Sequence, residues 1–110
     1  MRRGDLVTVA LQGDYGKPRP ALIIQGDYFN AHPSCTVLPI TSELREAPQF
    51  RVSIEPNDRN GLRMSSQVMV DKAQTVPSEK IGSVIGNLDN REMQDVSRAL
   101  SVFLGIVQTL

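Results

Sequence analysis

Two prolines flank a single arginine in Lys17-Pro18-Arg19-Pro20, and an unbroken aliphatic run, Ala21-Leu22-Ile23-Ile24, follows at once. Proline fixes its own φ and holds the residue before it in extended backbone, so Arg19 leaves the turn with little conformational freedom. The run after it is short and β-branched, and it ends at Gly26-Asp27. Such a run reads as a strand buried on both faces. An arginine at its mouth sits at the rim of a core, where a planar, forked donor suits phosphate oxygens. On this segment alone, a plain surface arginine at a strand start is the simpler reading.

At 110 residues the chain is expected to form one domain, 1–110, with a core that needs neither metal nor disulfide to hold it. Cys35 is the only cysteine and lies in an apolar run, so it is read as a small buried residue in a reducing, cytoplasmic setting. One cysteine and one histidine, His32, exclude a zinc cluster built from those ligands. No apolar stretch approaches a membrane span, and Arg2-Arg3 leads into Gly4-Asp5 rather than a signal-type apolar region, so a soluble protein with no membrane partner is expected. Twelve basic residues balance twelve acidic ones, and the total therefore does not advertise nucleic-acid binding. Locally the balance differs: within residues 1–20, Arg2, Arg3, Lys17 and Arg19 outnumber Asp5 and Asp14.

Residues 5–11 alternate as a strand with apolar side chains on both faces, Leu6 and Thr8 on one and Val7 and Val9 on the other. A loop over 12–18, carrying Tyr15, returns the chain as a hairpin. A polar excursion over 26–33 precedes a third strand over 34–40, in which Pro39 argues for a strand end or edge. Phe50, Val52 and Ile54 alternate inward against Arg51 and Ser53 outward. Residues 55–61 are a turn by composition, 66–70 a fifth strand, 74–77 a short extension, 77–80 a helical turn and 81–86 a last apolar strand. Asp89 and Glu92 then have capping-box spacing, and Met93, Val96, Leu100, Phe103, Leu104 and Val107 follow at helical spacing, as core or dimer packing. Five or six strands and one helix predict a small antiparallel barrel, or strongly bent sheet, with a C-terminal helix against it.

Taken in order, Arg3-Gly4-Asp5-Leu6-Val7, Arg19-Pro20-Ala21-Leu22-Ile23-Ile24, Pro39-Ile40-Thr41-Ser42 and Val70-Asp71-Lys72-Ala73-Gln74-Thr75-Val76 resemble four landmarks of the MazF/PemK (Kid) toxins. The Ile81-Gly82 segment and the closing helix resemble that family's C-terminal half. The resemblance implies an SH3-like barrel of the CcdB/MazF type, a homodimer, and a metal-independent, sequence-selective endoribonuclease with no cofactor. It also implies a cognate antitoxin whose acidic, flexible C-terminal tail covers the groove for single-stranded RNA. Carried over by position, Arg19, Thr41 and Asp71 become the catalytic set, with Ser42 beside Thr41. This sequence departs from the family in two places: the 12–18 loop is short and lacks a Ser-Glu-Gln run, and Met69 stands where some members have arginine.

The residue chemistry can be weighed separately. RNA carries its own nucleophile in the 2′-hydroxyl, so the protein needs only to align it, move protons and stabilise the phosphorane. Arg19 suits charge stabilisation, but its high pKa makes it a poor general acid. Thr41 can donate to a phosphate oxygen, and equally it can simply end a strand, with Ser42 holding a turn. Asp71 is the one candidate base among these landmarks and would need burial to raise its pKa; a surface carboxylate paired with Lys72 fits it as well. Arg3 and Lys17 belong to the positive N-terminal region and are candidate RNA contacts. Tyr15 and Phe50 could stack on unpaired bases, although the alternation around Phe50 puts a core role ahead. The competing function is a CcdB-like toxin that binds DNA gyrase without catalysis; such chains carry a tryptophan before Gly-Ile, whereas Leu104 precedes Gly105-Ile106 here and no tryptophan is present. A third is an SH3-like adaptor or inactive relative that would not depend on Arg19 and Thr41.

Overall fold

The computed structural model describes residues 1–11 and 16–108. Strands β1 (Asp5–Ala10) and β2 (Pro18–Ile23) pair antiparallel from Leu6↔Leu22 to Ala10↔Pro18. β2 then pairs with β3 (Ser34–Thr41) from Ala21↔Pro39 to Ile23↔Val37. β4 (Arg51–Ile54), β5 (Ser66–Met69), β6 (Gln74–Pro77) and β7 (Ile81–Asn87) follow, and helix α1 (Asn90–Phe103) closes the described chain. The sheet runs β4-β5-β3-β2-β1-β7, with β6 added against β3. Among the described residues there are seven strands rather than five or six, because 74–77 is a full strand with four partners on β3. The expected antiparallel, strongly bent sheet with a C-terminal helix is what forms.

Period-two alternation sends successive side chains to two cores. Leu6, Leu22, Leu38, Ile40, Ile54 and Val68 join Val96 of α1 in one cluster, while Val7, Val9, Ala21, Ile23, Cys35 and Val37 form the other. This is why β1 and β2 read as apolar on both faces.

Strand β3 is the branch point. Residues 34–37 pair with β6 and residues 40–41 with β5, so Leu38 and Pro39 fall between two partners on the side away from β2. Pro39 is therefore not at a strand end or an outer edge, as its chemistry suggested. Ile24 N–H donates to the Thr36 carbonyl at 3.2 Å, which sets even-numbered residues of β3 toward β2 and leaves the Pro39 nitrogen facing the changeover. Its missing N–H breaks no rung.

The helix starts as its sequence says. Glu92 N–H donates to Asp89 Oδ1 at 2.7 Å, and Asp89 N–H donates to Glu92 Oε1 at 3.0 Å. Asp89→Ala should cost about 1 kcal/mol of stability, readable in a denaturant melt. Val96 is buried, and Met93, Ala99 and Leu100 pack beside it. The apolar stripe ends sooner than its spacing predicts, for the helix stops at Phe103 and both Leu104 and Val107 lie beyond it, exposed. No described helix is long and apolar enough to cross a membrane.

Candidate active site

The β2–β3 ladder stops at Ala21↔Pro39, where Pro20 has no N–H to give the next rung, while β3 goes on to pair with β5 on its other side through Ile40 and Thr41. Beyond that point the two strands part, and Pro18, Arg19 and Pro20 face Ile40, Thr41 and Ser42 across an open groove of ≈ 700 Å³. Register arithmetic relates the two polar groups. Arg19 stands two residues before the last rung on β2, and Thr41 two residues after it on β3. Arg19 is exposed and paired on its other side with Val9 of β1.

The facing wall comes from the β4–β5 connection, residues 55–65, which contributes Gly61, Leu62, Arg63 and Met64. Composition showed only a turn over 55–61. Its order comes from Asn60, whose side chain is wholly buried: Asn60 Nδ2 donates to the Glu55 carbonyl at 2.8 Å, and its Oδ1 accepts from Asn57 N–H at 3.1 Å and Leu62 N–H at 3.0 Å. Arg59 Nε donates to Asn87 Oδ1 at 2.6 Å, fastening the loop to β7. Thr8, Leu11, Met69 and Ile85 are also among the lining.

Arg19 and Arg63 give the groove its positive groups, and Glu43, the carboxylate on its lining, has Arg45 Nη2 3.4 Å from Oε1. Thr41 Oγ1 accepts from Glu43 N–H at 3.0 Å. That bond uses an acceptor site and leaves the Thr41 O–H able to donate to an anionic oxygen. The arrangement can hold a phosphate, with an apolar floor for the flanking sugar and base.

The remaining sequence candidates are placed elsewhere. Asp71 lies in a short 3₁₀ turn, Val70–Lys72, and does not line the groove; its Oδ2 is 3.8 Å from Lys72 Nζ, while its Oδ1 is buried without a side-chain or backbone partner. Arg3 ties the N-terminal segment to the body of the protein, donating from Nη1 to the Ile24 carbonyl and from Nη2 to Ser97 Oγ at 2.8 Å. Phe50 packs against the larger core, in line with its alternation. Lys17 is exposed next to Pro18 but is not part of the lining. Tyr15 lies outside the described residues.

Arg51 corrects the reading of β4. Alternation put it outward in solvent, yet it is only 9% exposed, covered by the segment that follows Thr41. Neither it nor Arg63 is signalled by local pattern, since each is placed by a connection that folds back from elsewhere. Cys35 is buried as expected. Burial pushes its thiol pKa above the ordinary value, with the N-terminal ammonium acting the other way. Iodoacetamide should therefore leave Cys35 unmodified in the native protein and alkylate it fully in denaturant, as read by mass spectrometry.

Comparison with known proteins meets this geometry from the other direction. The family model of PemK-like, MazF-like toxins of type II toxin–antitoxin systems matches residues 2–104. A curated relative, the probable endoribonuclease MazF of Mycolicibacterium smegmatis, is 49% identical over 107 residues, covering 96% of this chain and 98% of its own. The solved structure of Mycobacterium tuberculosis toxin MazF-mt6 superposes with a TM-score of 0.79 at 27% identity, covering 92% of this chain and 96% of that one. A mycobacterial endoribonuclease solved in complex with its cognate antitoxin shares the fold at a TM-score of 0.82 and 23% identity, over 97% of both chains. The match does not favour the gyrase-binding alternative. With nearly the whole chain covered and half of its residues shared with one relative, this protein belongs to the PemK/MazF family of type II toxin–antitoxin toxins.

Proposed function

We propose that this toxin is an endoribonuclease that cuts single-stranded RNA, messenger RNA above all, by internal transesterification. The observation that carries the reading is the convergence of Arg19, Thr41, Ser42 and Arg63 on one open groove. The 2′-oxygen of a bound nucleotide attacks its neighbouring phosphorus, a 2′-oxygen–phosphorus bond forms, and the bond to the 5′-oxygen breaks. The 2′-hydroxyl proton passes to water in the open groove, and the departing 5′-oxygen takes one up. A 2′,3′-cyclic phosphate and a free 5′-hydroxyl result, with no metal or cofactor required. Arg19 stabilises the phosphorane charge, Thr41 donates its O–H to a non-bridging oxygen, and Ser42 and Arg63 hold the adjoining backbone. Asp71, away from the groove lining, is given no proton step.

Endoribonuclease names among the relatives and the solved antitoxin complex support the same reading, with a cognate antitoxin as partner. The positive groove suits an acidic, flexible antitoxin tail, which would compete with RNA for Arg19 and Arg63. A homodimer acting in the cytoplasm, where messenger RNA is found, completes the proposal.

The test is incubation of a long single-stranded RNA with the purified, antitoxin-free protein in EDTA, followed by mapping of the product ends. Cuts at a short recurring motif, with cyclic-phosphate ends, are expected from the wild type. A folded wild-type protein that leaves the RNA intact would remove the reading.

A further inference from the structure

The segment that follows Thr41 forms one lip of the groove through Ser42 and Glu43, yet it belongs to no strand. Side chains hold it in place. Arg51 Nη1 donates to the Glu43 carbonyl and to Gln67 Oε1, each at 3.0 Å. Gln67 grips Arg45 at both backbone groups: its Oε1 accepts Arg45 N–H at 3.0 Å and its Nε2 donates to the Arg45 carbonyl at 2.9 Å. The amide thus takes the place of a neighbouring strand for a segment that has none.

The placement follows from the strands beneath. Gln67 pairs directly with Thr41 across β3–β5, and with Ser53 across β4–β5, so it sits under the groove's edge. Both side chains are buried, Arg51 at 9% and Gln67 at 7% exposure. A buried guanidinium that donates to neutral oxygens is costly to desolvate, and an apolar residue of similar volume often serves stability as well or better. Stability is thus a poor reason for an arginine here.

Glu43 connects the clamp to the chemistry. Its carbonyl is held by Arg51, and its N–H is the donor that engages Thr41 Oγ1. Fixing the Glu43 backbone therefore fixes the rotamer of Thr41 and the direction of its remaining O–H. We infer that Arg51 and Gln67 are positioning residues that aim the Thr41 hydroxyl into the groove by holding Glu43. Neither touches substrate. The inference rests on the ribonuclease reading for its catalytic consequence, and on hydrogen bonding alone for its structural part.

Two measurements separate those parts. The first is amide hydrogen exchange at Glu43, by NMR, in the wild type, Arg51→Met and Gln67→Leu. Exchange at Glu43 should accelerate at least tenfold in both variants, while amides of β1 and β2 keep their protection; unchanged Glu43 exchange in both would overturn the clamp whether or not the protein cuts RNA. The second is single-turnover cleavage with a double-mutant cycle. Because a misplacement of about 1 Å can cost up to ~10²-fold, Arg51→Met should lower kcat by roughly ten- to a hundredfold with little change in KM. In a Thr41→Ala background the same substitution should cost almost nothing further, since its effect passes through the missing hydroxyl. Equal, multiplicative losses in both backgrounds, or a rise in KM alone, would show that Arg51 does not act through Thr41. Should Arg51→Met fail to fold, Gln67→Leu carries the same cycle. If the wild type itself does not cleave, the ribonuclease reading fails and the exchange result still decides the clamp.

Discussion

Arg19→Ala is expected to lower the rate of RNA cleavage by ~10²–10³-fold, because loss of one well-placed donor to the transition-state oxyanion typically costs about 2.7–4 kcal/mol of barrier. The loss should fall on kcat more than on binding, since Arg63 and the apolar part of the lining remain available to hold RNA. Arg19→Lys keeps the charge and loses the forked geometry, so it should recover only part of the rate. Folding should be unaffected, as the side chain is exposed and the strand is fixed by Pro18, Pro20 and the ladder to β1. Single-turnover cleavage beside a binding titration with a 2′-deoxy analogue separates the two effects. An alanine variant that cleaves at the wild-type rate would take Arg19 out of the chemistry.

Gly61→Ala should damage the fold far more than its single added methyl suggests. Gly61 has φ +69°, and a Cβ there would stand 2.1 Å from the Ile85 carbonyl oxygen, a backbone atom of β7 rather than the end of a flexible side chain. Gly86 mirrors it, for a Cβ on that residue would lie 2.4 Å from the Asn60 carbonyl. Two backbones are in contact here with no room for a methyl group. Left-handed backbone costs an alanine about 1–2 kcal/mol, and overpacking adds roughly 1–3 kcal/mol. The sum, about 2–5 kcal/mol, should lower Tm by ~10 °C or more. Gly105→Ala is the control: its φ is +75°, but none of the described residues lies within 4 Å of the added carbon, so it should show the conformational cost alone. Equal Tm losses in the two variants would mean that the Gly61–Ile85 contact contributes nothing. Cleavage should fall with Gly61→Ala even below its Tm, because Arg63 and Met64 are carried by the displaced loop.

What sequence could and could not disclose follows from the range of the forces involved. Alternation and capping are local, so both faces of β1 and β2, a strand over 34–40 and the Asp89–Glu92 box were legible. Arg19, Thr41 and Ser42 were legible as a set through the resemblance, which orders segments that lie far apart along the chain. The changeover at Pro39 was not, because it depends on which two strands share one side of β3. Arg51 was misread for a related reason: alternation assigns a face to a side chain but says nothing of a loop arriving to cover that face. Arg63 lies just past the stretch 55–61 whose composition announces a turn, and the Asn60 network that orders that turn is set by backbone groups. Asp71 was eligible by motif; it sits in a 3₁₀ turn and is not among the residues that line the groove.

The branch in β3 also sets what lengths this chain can tolerate. Because residues 34–37 are committed to β6 and 40–41 to β5, the two residues between them act as a phase-setting spacer. One residue more or fewer would rotate every following side chain to the opposite face, turning Ile40 out of the core and Thr41 out of the groove. Loops on either side can grow or shrink without this penalty. The distance in sequence from Val37 to Ile40 thus sets the groove's lining as firmly as the side chains that form it.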